Sequence, residues 1–206
     1  MTGKAIAALA YLAMAVAGLQ YQTESICDFS VIDLDGPINR MLTKLPEYDL
    51  SRSHHYKGDF AGVEFLGLNI TGLNKLQRYG ALVPFCVNGI RKIQVDFAQP
   101  GVIALTVPWK TCKGREGILQ LKPVLSRFTT VFRVETTELG QAVKLVHEGP
   151  VLPVATEQLK ATAHGAGFVV AIAMEYFSFA FPALLQEIWN KEFFTMFETS
   201  VEKVLA

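Results

Sequence analysis

The chain has 206 residues; half are hydrophobic, 18% are charged, and 19 basic against 19 acidic side chains give a formal net charge of zero. This balance offers no electrostatic footprint for nucleic acid, and no polybasic run would hold the chain to an anionic membrane. Fourteen Phe among 206 residues ask instead for a large apolar interior or for apolar cargo.

Residues 1–17 read as a secretory signal peptide. Lys4 supplies the charged start, Ala5 to Val16 is an apolar run of about twelve residues, and Ala15-Val16-Ala17 is a small-x-small cleavage site. A membrane anchor needs ~18 or more apolar residues, and Gln20, Gln22, Thr23 and Glu24 end the run sooner. The expected mature chain, residues 18–206, is a single extracellular domain with one basic group fewer than the 19 acids of the sequence.

After an extended leader, Asp28 to Leu45 is a helix candidate. Ile38, Met41, Leu42 and Leu45 recur at helical spacing, Gly36-Pro37 suits a helix start, and Pro46 ends the run. Residues 47–60 are polar and read as a loop. Ala61 to Tyr79 is β-rich, and its apolar parity shifts between Phe65 and Leu66, which predicts a bulge or bend at a nearby glycine. Ile93, Val95 and Phe97 alternate with polar residues, as do Ile103, Leu105, Val107 and Trp109. Gln99-Pro100-Gly101 between these runs reads as a hairpin turn. Residues 113–117 form a loop. Phe128, Phe132 and Val134 share one face of a further strand, Gly140 marks a second hairpin, and Val151 to Ala163 holds one more strand. One dry and one wet face per strand suits an antiparallel sheet with one side solvated.

Folding the chain about Pro100 sets Cys86 opposite Cys112, so a cross-strand disulfide between them is expected. Cys27 is then left over, either as a buried thiol or as the bridge of a homodimer. Asn69-Ile70-Thr71 is an N-glycosylation sequon. Leu68 and Ile70 share one parity, which assigns Asn69 to the opposite, wet face.

The period changes at the C-terminus. From Ala183 to Leu205 the apolar residues step by three and four, predicting an amphipathic helix of about 24 residues. Pro182 lies in its first turn, and Lys191, Glu192, Glu198, Glu202 and Lys203 occupy its polar face. Before it, Gly165 to Leu185 is nearly all apolar. Glu175 and Pro182 argue against a membrane span, and a buried helix or strand feeding the last helix is the expectation.

Nothing in the sequence carries a catalytic constellation. G-x-S-x-G, H-E-x-x-H, the Walker loop and G-x-G-x-x-G are all absent. The adjacent His54 and His55 diverge and read as surface side chains rather than metal ligands. Glu175 faces solvent, anchors a ligand's polar head, or pairs with Arg127 or Arg133. No metal, cofactor or enzymatic activity is expected.

The segment from Leu68 to Gly80, Leu-Asn-Ile-Thr-Gly-Leu-Asn-Lys-Leu-Gln-Arg-Tyr-Gly, together with the aromatic helix at Ala183–Leu205, resembles the tubular lipid-binding superfamily. That superfamily includes the bactericidal permeability-increasing proteins, the insect takeout and juvenile-hormone-binding proteins and, most similar, the group 7 mite allergens. The resemblance covers residues 28–206; the cysteines and Pro150–Pro153 depart from the mite pattern. It implies an α+β fold in which a highly curved antiparallel sheet wraps around a long C-terminal amphipathic helix, with a short N-terminal helix. It also implies a secreted carrier that binds a lipid or other apolar small molecule between sheet and helix. The implied lining residues are Ile93, Val95, Phe97, Leu105, Val107, Phe128, Phe132, Val134, Leu185, Ile188, Trp189 and Phe193. The alternative is an allergen-like, arthropod-type interaction protein that binds microbial lipid or a host protein through an exposed apolar surface.

Overall fold

A computed structural model of the chain describes residues 27–50, 54–136 and 142–206. The expected signal peptide lies outside the described residues. Helix α1 (Asp35–Lys44) is followed by strands β1 (Tyr48–Asp49), β2 (Lys57–Phe60), β3 (Val63–Leu66) and β4 (Asn69–Thr71). After a 3-10 turn at Leu73–Lys75 come β5 (Gln77–Arg78), β6 (Val83–Val87), β7 (Ile90–Gln99), β8 (Ala104–Thr111) and β9 (Glu116–Lys122). Strands β10 (Leu125–Thr136), β11 (Val143–His147), β12 (Leu152–Glu157) and β13 (Lys160–His164) lead to helices α2 (Phe168–Ala180) and α3 (Pro182–Leu205). The curved antiparallel sheets, the long C-terminal helix and the short N-terminal helix are the expected α+β architecture.

The strands fall into two hydrogen-bonded sheets. In the first, the order β1-β4-β8-β3-β2 is extended by β9 on β8 and β13 on β9; in the second, β11-β10-β7-β5 is joined by β12 on β10 and β6 on β7. All pairings are antiparallel. Gly67, at φ +103°, makes the bend expected from the parity shift. It lets β3 and β4 both pair with β8, at Phe65↔Trp109 and at Asn69↔Thr106.

The turn at Gln99-Pro100-Gly101 does not make a hairpin. Strand β7 belongs to the second sheet and β8 to the first, so this turn is where the chain crosses between sheets. Gln99 has a fully buried side chain whose Oε1 accepts from the N–H groups of Val102 and Ile103, both at 3.2 Å. These bonds replace the backbone bonds of a hairpin.

The cysteine expectation fails for the same reason. With β7 and β8 apart, Cys86 on β6 is not opposite Cys112; it is bonded to Cys27, and Cys112 is exposed and free. Cys27, bonded within the chain, is not the bridge of a homodimer. Asn69 corrects a second expectation. It is only 7% exposed, on a strand flanked by β1 and β8, and Leu68 and Ile70 beside it are also buried. No wet face exists there to carry a glycan.

Three other sequence assignments change. The polar stretch 47–60 contributes β1 and β2, the loop expected over 113–117 gives its last two residues to strand β9 (Glu116–Lys122), and the region 151–163 holds two end strands, β12 and β13, rather than one strand. Helix α1 begins at Asp35, later than expected, and buries Pro37, Ile38 and Met41. The second hairpin holds: β10 pairs β11 from Phe132↔His147 to Thr136↔Val143. Its turn at Gly140 lies outside the described residues.

Helix α3 ties the sheets together. Its later turns bury Trp189, Phe193, Phe194, Met196, Phe197 and Val201. Of these, Phe193, Phe194 and Phe197 meet Phe128 of β10, Phe197 also meets Phe97 of β7, and Phe97 in turn meets Phe128 and Phe132. Its first turns, around Leu185 and Ile188, instead face β8 and β9.

Candidate functional site: an apolar groove under helix α2

Helix α2 follows β13 through Gly165-Ala166-Gly167 and folds back along that strand. Strand β13 is an end strand, bonded only to β9, and its free edge is partly covered by Ser178. The Ser178 Oγ accepts from the Ala161 N–H at 2.9 Å and contacts the Ala161 carbonyl at 3.3 Å. Gly165, at φ +80°, and Gly117 make this return possible. A Cβ at Gly165 would lie 2.4 Å from the Glu116 carbonyl oxygen, and one at Gly117 would lie 2.0 Å from the His164 carbonyl oxygen. Neither space admits a side chain.

The chain turns by 90° between α2 and α3 at Phe181-Pro182. Proline lacks the N–H needed to continue the helix and fits the first turn of the next one. Beneath this elbow, between the helices and the first sheet, lies a pocket of ≈ 150 Å³. Leu105 and Val107 of β8, Leu119 and Leu121 of β9, Ala161 of β13, Met174 and Phe177 of α2, and Leu185 and Ile188 of α3 line it, with Tyr56 and Leu68. Leu119 also borders a second pocket of ≈ 300 Å³ with Val63, Phe65, Trp109, Thr111, Arg115, Gly165, Ala166 and Val170. The two adjoin as one groove with apolar walls. A cleft of ≈ 580 Å³ elsewhere has mixed walls, with Glu47, Asn74, Lys75 and Gln77 beside Tyr48, Leu76, Pro100 and Val102.

The residues expected to line a ligand site separate into two groups. Leu105, Val107, Leu185 and Ile188 border the groove. Ile93, Val95, Phe97, Phe128, Phe132, Val134, Trp189 and Phe193 are at most 5% exposed and belong to the packed core. Phe128 alone has four ring neighbours within 5.6 Å. Around Phe97 and Phe128 the fold is therefore filled by its own side chains, and of the expected lining residues only those on β8 and at the start of α3 border open space.

Polar groups near the site also differ from expectation. Glu192, assigned to the wet face of α3, is 1% exposed. Its Oε1 accepts from the Tyr56 hydroxyl at 3.3 Å, and its Oε2 lies 3.8 Å from His55 Nδ1. His55 is thus engaged by a buried acid rather than being a plain surface side chain. Glu175 is exposed, Arg127 lies 4.0 Å over the Tyr79 ring, and Arg133 pairs with Glu135 at 3.0 Å. Farther off, half-buried His147 shares a 2.9 Å hydrogen bond with Thr130. Burial holds its pKa below the usual histidine value, opposed by the charges of Glu198 and Glu202, which raise it.

Helix α2 departs most from the sequence reading. It buries none of its residues, although its composition asked for a buried segment. Phe168 is 79% exposed, Val169 78%, Tyr176 72% and Phe179 87%. A helix apolar on all sides and packed along only one strand has nothing to cover its outer face. No single helix among the described residues is long and apolar enough to cross a membrane.

No family model matches the chain, and a search of curated proteins found no match. Among solved structures, the crystal structure of Takeout 1 from Epiphyas postvittana is similar, with 12% sequence identity and a TM-score of 0.37. The match covers 76% of this chain and 74% of that one.

Proposed function

We propose that this protein is a secreted carrier or sequestering protein that holds a lipid or other apolar small molecule in the groove between β8, β9, β13 and helices α2 and α3. The observation that carries this reading is the groove itself: open space beside Leu119, walled by Leu, Val, Ile, Met and Phe, next to a core that is filled elsewhere. Each methylene of an acyl chain entering such walls gains ~0.8 kcal/mol. Binding of this kind needs no reaction and no cofactor. The Cys27–Cys86 disulfide supports an oxidising, extracellular compartment and, with it, removal of residues 1–17.

The test is uptake of the neutral apolar dye N-phenyl-1-naphthylamine, followed by its fluorescence. The wild-type chain takes up one dye, and Ala161→Phe, which adds a ring to the groove, blocks uptake with the fold retained by circular dichroism. No uptake by the wild type, or equal uptake by the variant, overturns the reading.

A second reading has its own observation. The outer face of α2, with Phe168, Val169, Tyr176 and Phe179 exposed, is the kind of apolar patch that recognises a microbial lipid surface or another protein. In that case Phe168→Ser with Phe179→Ser abolishes partner binding and leaves dye uptake unchanged.

A further inference from the structure

Helix α2 has two distinct sides. At about 100° per residue, Phe168, Val169, Ile172, Tyr176 and Phe179 fall within one arc of about 100°. The arc runs about 17 Å along the helix axis. All five side chains are exposed, and at the elbow that follows Phe181 and Leu184 are exposed as well. Glu175, at the border of the arc, is the one charged residue in the sequence of α2, which has no Lys, Arg or His. The opposite side carries Met174 and Phe177, which line the groove. Val170 borders the wider pocket and is itself 41% exposed, so the groove meets the outside at the Phe168 end of the helix.

The size, charge and hydropathy of this stripe indicate what covers it. Its few residues fall well short of the ~20–30 that each side of a stable protein interface contributes, whereas lipid closes around a protruding helix without a matched partner surface. Lacking cations, it has no attraction for anionic headgroups and suits neutral lipid. By length and hydropathy α2 and α3 together match a membrane-inserted segment bent by 90°, although neither does alone. The later turns of α3 are buried in the core, which leaves α2 and the elbow for lipid.

We propose that α2 docks this protein on neutral lipid bilayers. Its axis lies along the surface, the stripe from Phe168 to Phe179 is sunk at the boundary between headgroups and acyl chains, and ligand passes between bilayer and groove during contact. An apolar molecule exchanged in this way is spared a passage through water. The exchange step rests on the carrier reading above; docking does not.

Sedimentation of the full chain with sucrose-loaded phosphatidylcholine vesicles tests docking. The wild type partitions onto them equally in about 0.1 M and about 0.5 M NaCl, because no ion pair is involved. Phe168→Ser with Phe179→Ser lowers the partition coefficient about tenfold or more, at an unchanged melting temperature, since both side chains are exposed. A wild type that stays in solution or sediments only with anionic lipid, or a variant that sediments equally well, overturns docking. A wild type that ignores vesicles and forms a dimer, which the same variant dissociates, assigns the stripe to a second copy and also overturns docking. For exchange, the chain is loaded with N-phenyl-1-naphthylamine and mixed with phosphatidylcholine vesicles carrying an energy-transfer acceptor. The transfer rate of the wild type rises in proportion to vesicle concentration, and that of the variant does not. A wild-type rate independent of vesicle concentration overturns exchange by contact while docking stands. A wild type that docks but holds no dye overturns the carrier reading, and the exchange step with it.

Discussion

Replacing Phe128 by alanine separates a filled interior from a hollow one. Phe128 is fully buried, and the rings of Phe97, Phe193, Phe194 and Phe197 lie 5.6, 5.4, 5.5 and 4.9 Å from its own. A core Phe→Ala change costs about 3–5 kcal/mol, increasing with the cavity left behind. Four aromatic neighbours held by strand β7 and helix α3 cannot collapse into the gap, so about 5 kcal/mol is expected. That is a large part of the ~5–15 kcal/mol that holds a domain together. With a urea slope of about 2 kcal/mol/M, the unfolding midpoint falls by about 2.5 M, and dye uptake at low urea is unchanged. Leu119→Ala in the groove behaves in the opposite way. Open space already adjoins Leu119, so it costs about 1 kcal/mol, below the range for a sealed site, while uptake changes. If Phe128→Ala moved the midpoint by less than about 0.5 M and altered dye uptake, the ring would line a lumen, and the division into core and groove would be wrong.

Cys86→Ser opens a loop with a sequence separation of 59, which costs about 4 kcal/mol by the chain-entropy relation and is read from the denaturation midpoint. Peptide mapping after thiol labelling of the native protein finds one labelled cysteine, Cys112; a labelled Cys27 refutes the pairing. His147 has a lowered pKa in the fold, so the unfolded chain binds the proton more readily. Its contribution to stability is complete above about pH 6.5 and is lost as pH falls through the lower folded value. His147→Gln flattens the stability profile in that window, and an unchanged profile refutes the assignment. Because Asn69 is buried, endoglycosidase treatment of the secreted protein leaves its mass unchanged.

Local periodicity made part of this fold legible. The three-and-four spacing from Ala183 onward located α3, and the alternation around Ile93 and Phe128 located β7 and β10, because each element has one buried face. The parity shift at Phe65–Leu66 marked the bend at Gly67. Pairing was legible only where the chain folds back at once, as in β10–β11. Gln99 hid the crossover between sheets: its role as a buried acceptor for two backbone N–H groups depends on tertiary surroundings that no spacing reveals. The wrong disulfide followed from that one turn. Asn69 and Glu192 failed for a related reason, since a polar residue opposite an apolar one looks wet until another segment covers it.

The site was legible in half. Leu105, Val107, Leu185 and Ile188 came from alternation and helical spacing, but nothing in those patterns tells groove from core. The walls from β9, β13 and α2 were missed. Ile118, Leu119 and Leu121 carried a weak strand signal that the preceding loop obscured. The apolar run of α2 was read as buried because composition reports the wish for cover, not its presence.

Native mass spectrometry of the protein purified from a secreting culture, with solvent extraction of whatever remains bound, most directly tests the carrier function. The predicted result is a lipid or other apolar molecule at close to one per chain, released by Ala161→Phe. A chain that flies bare, and that takes up neither dodecanoate nor the neutral dye afterwards, would contradict a carrier and leave the exposed face of α2 as the functional surface.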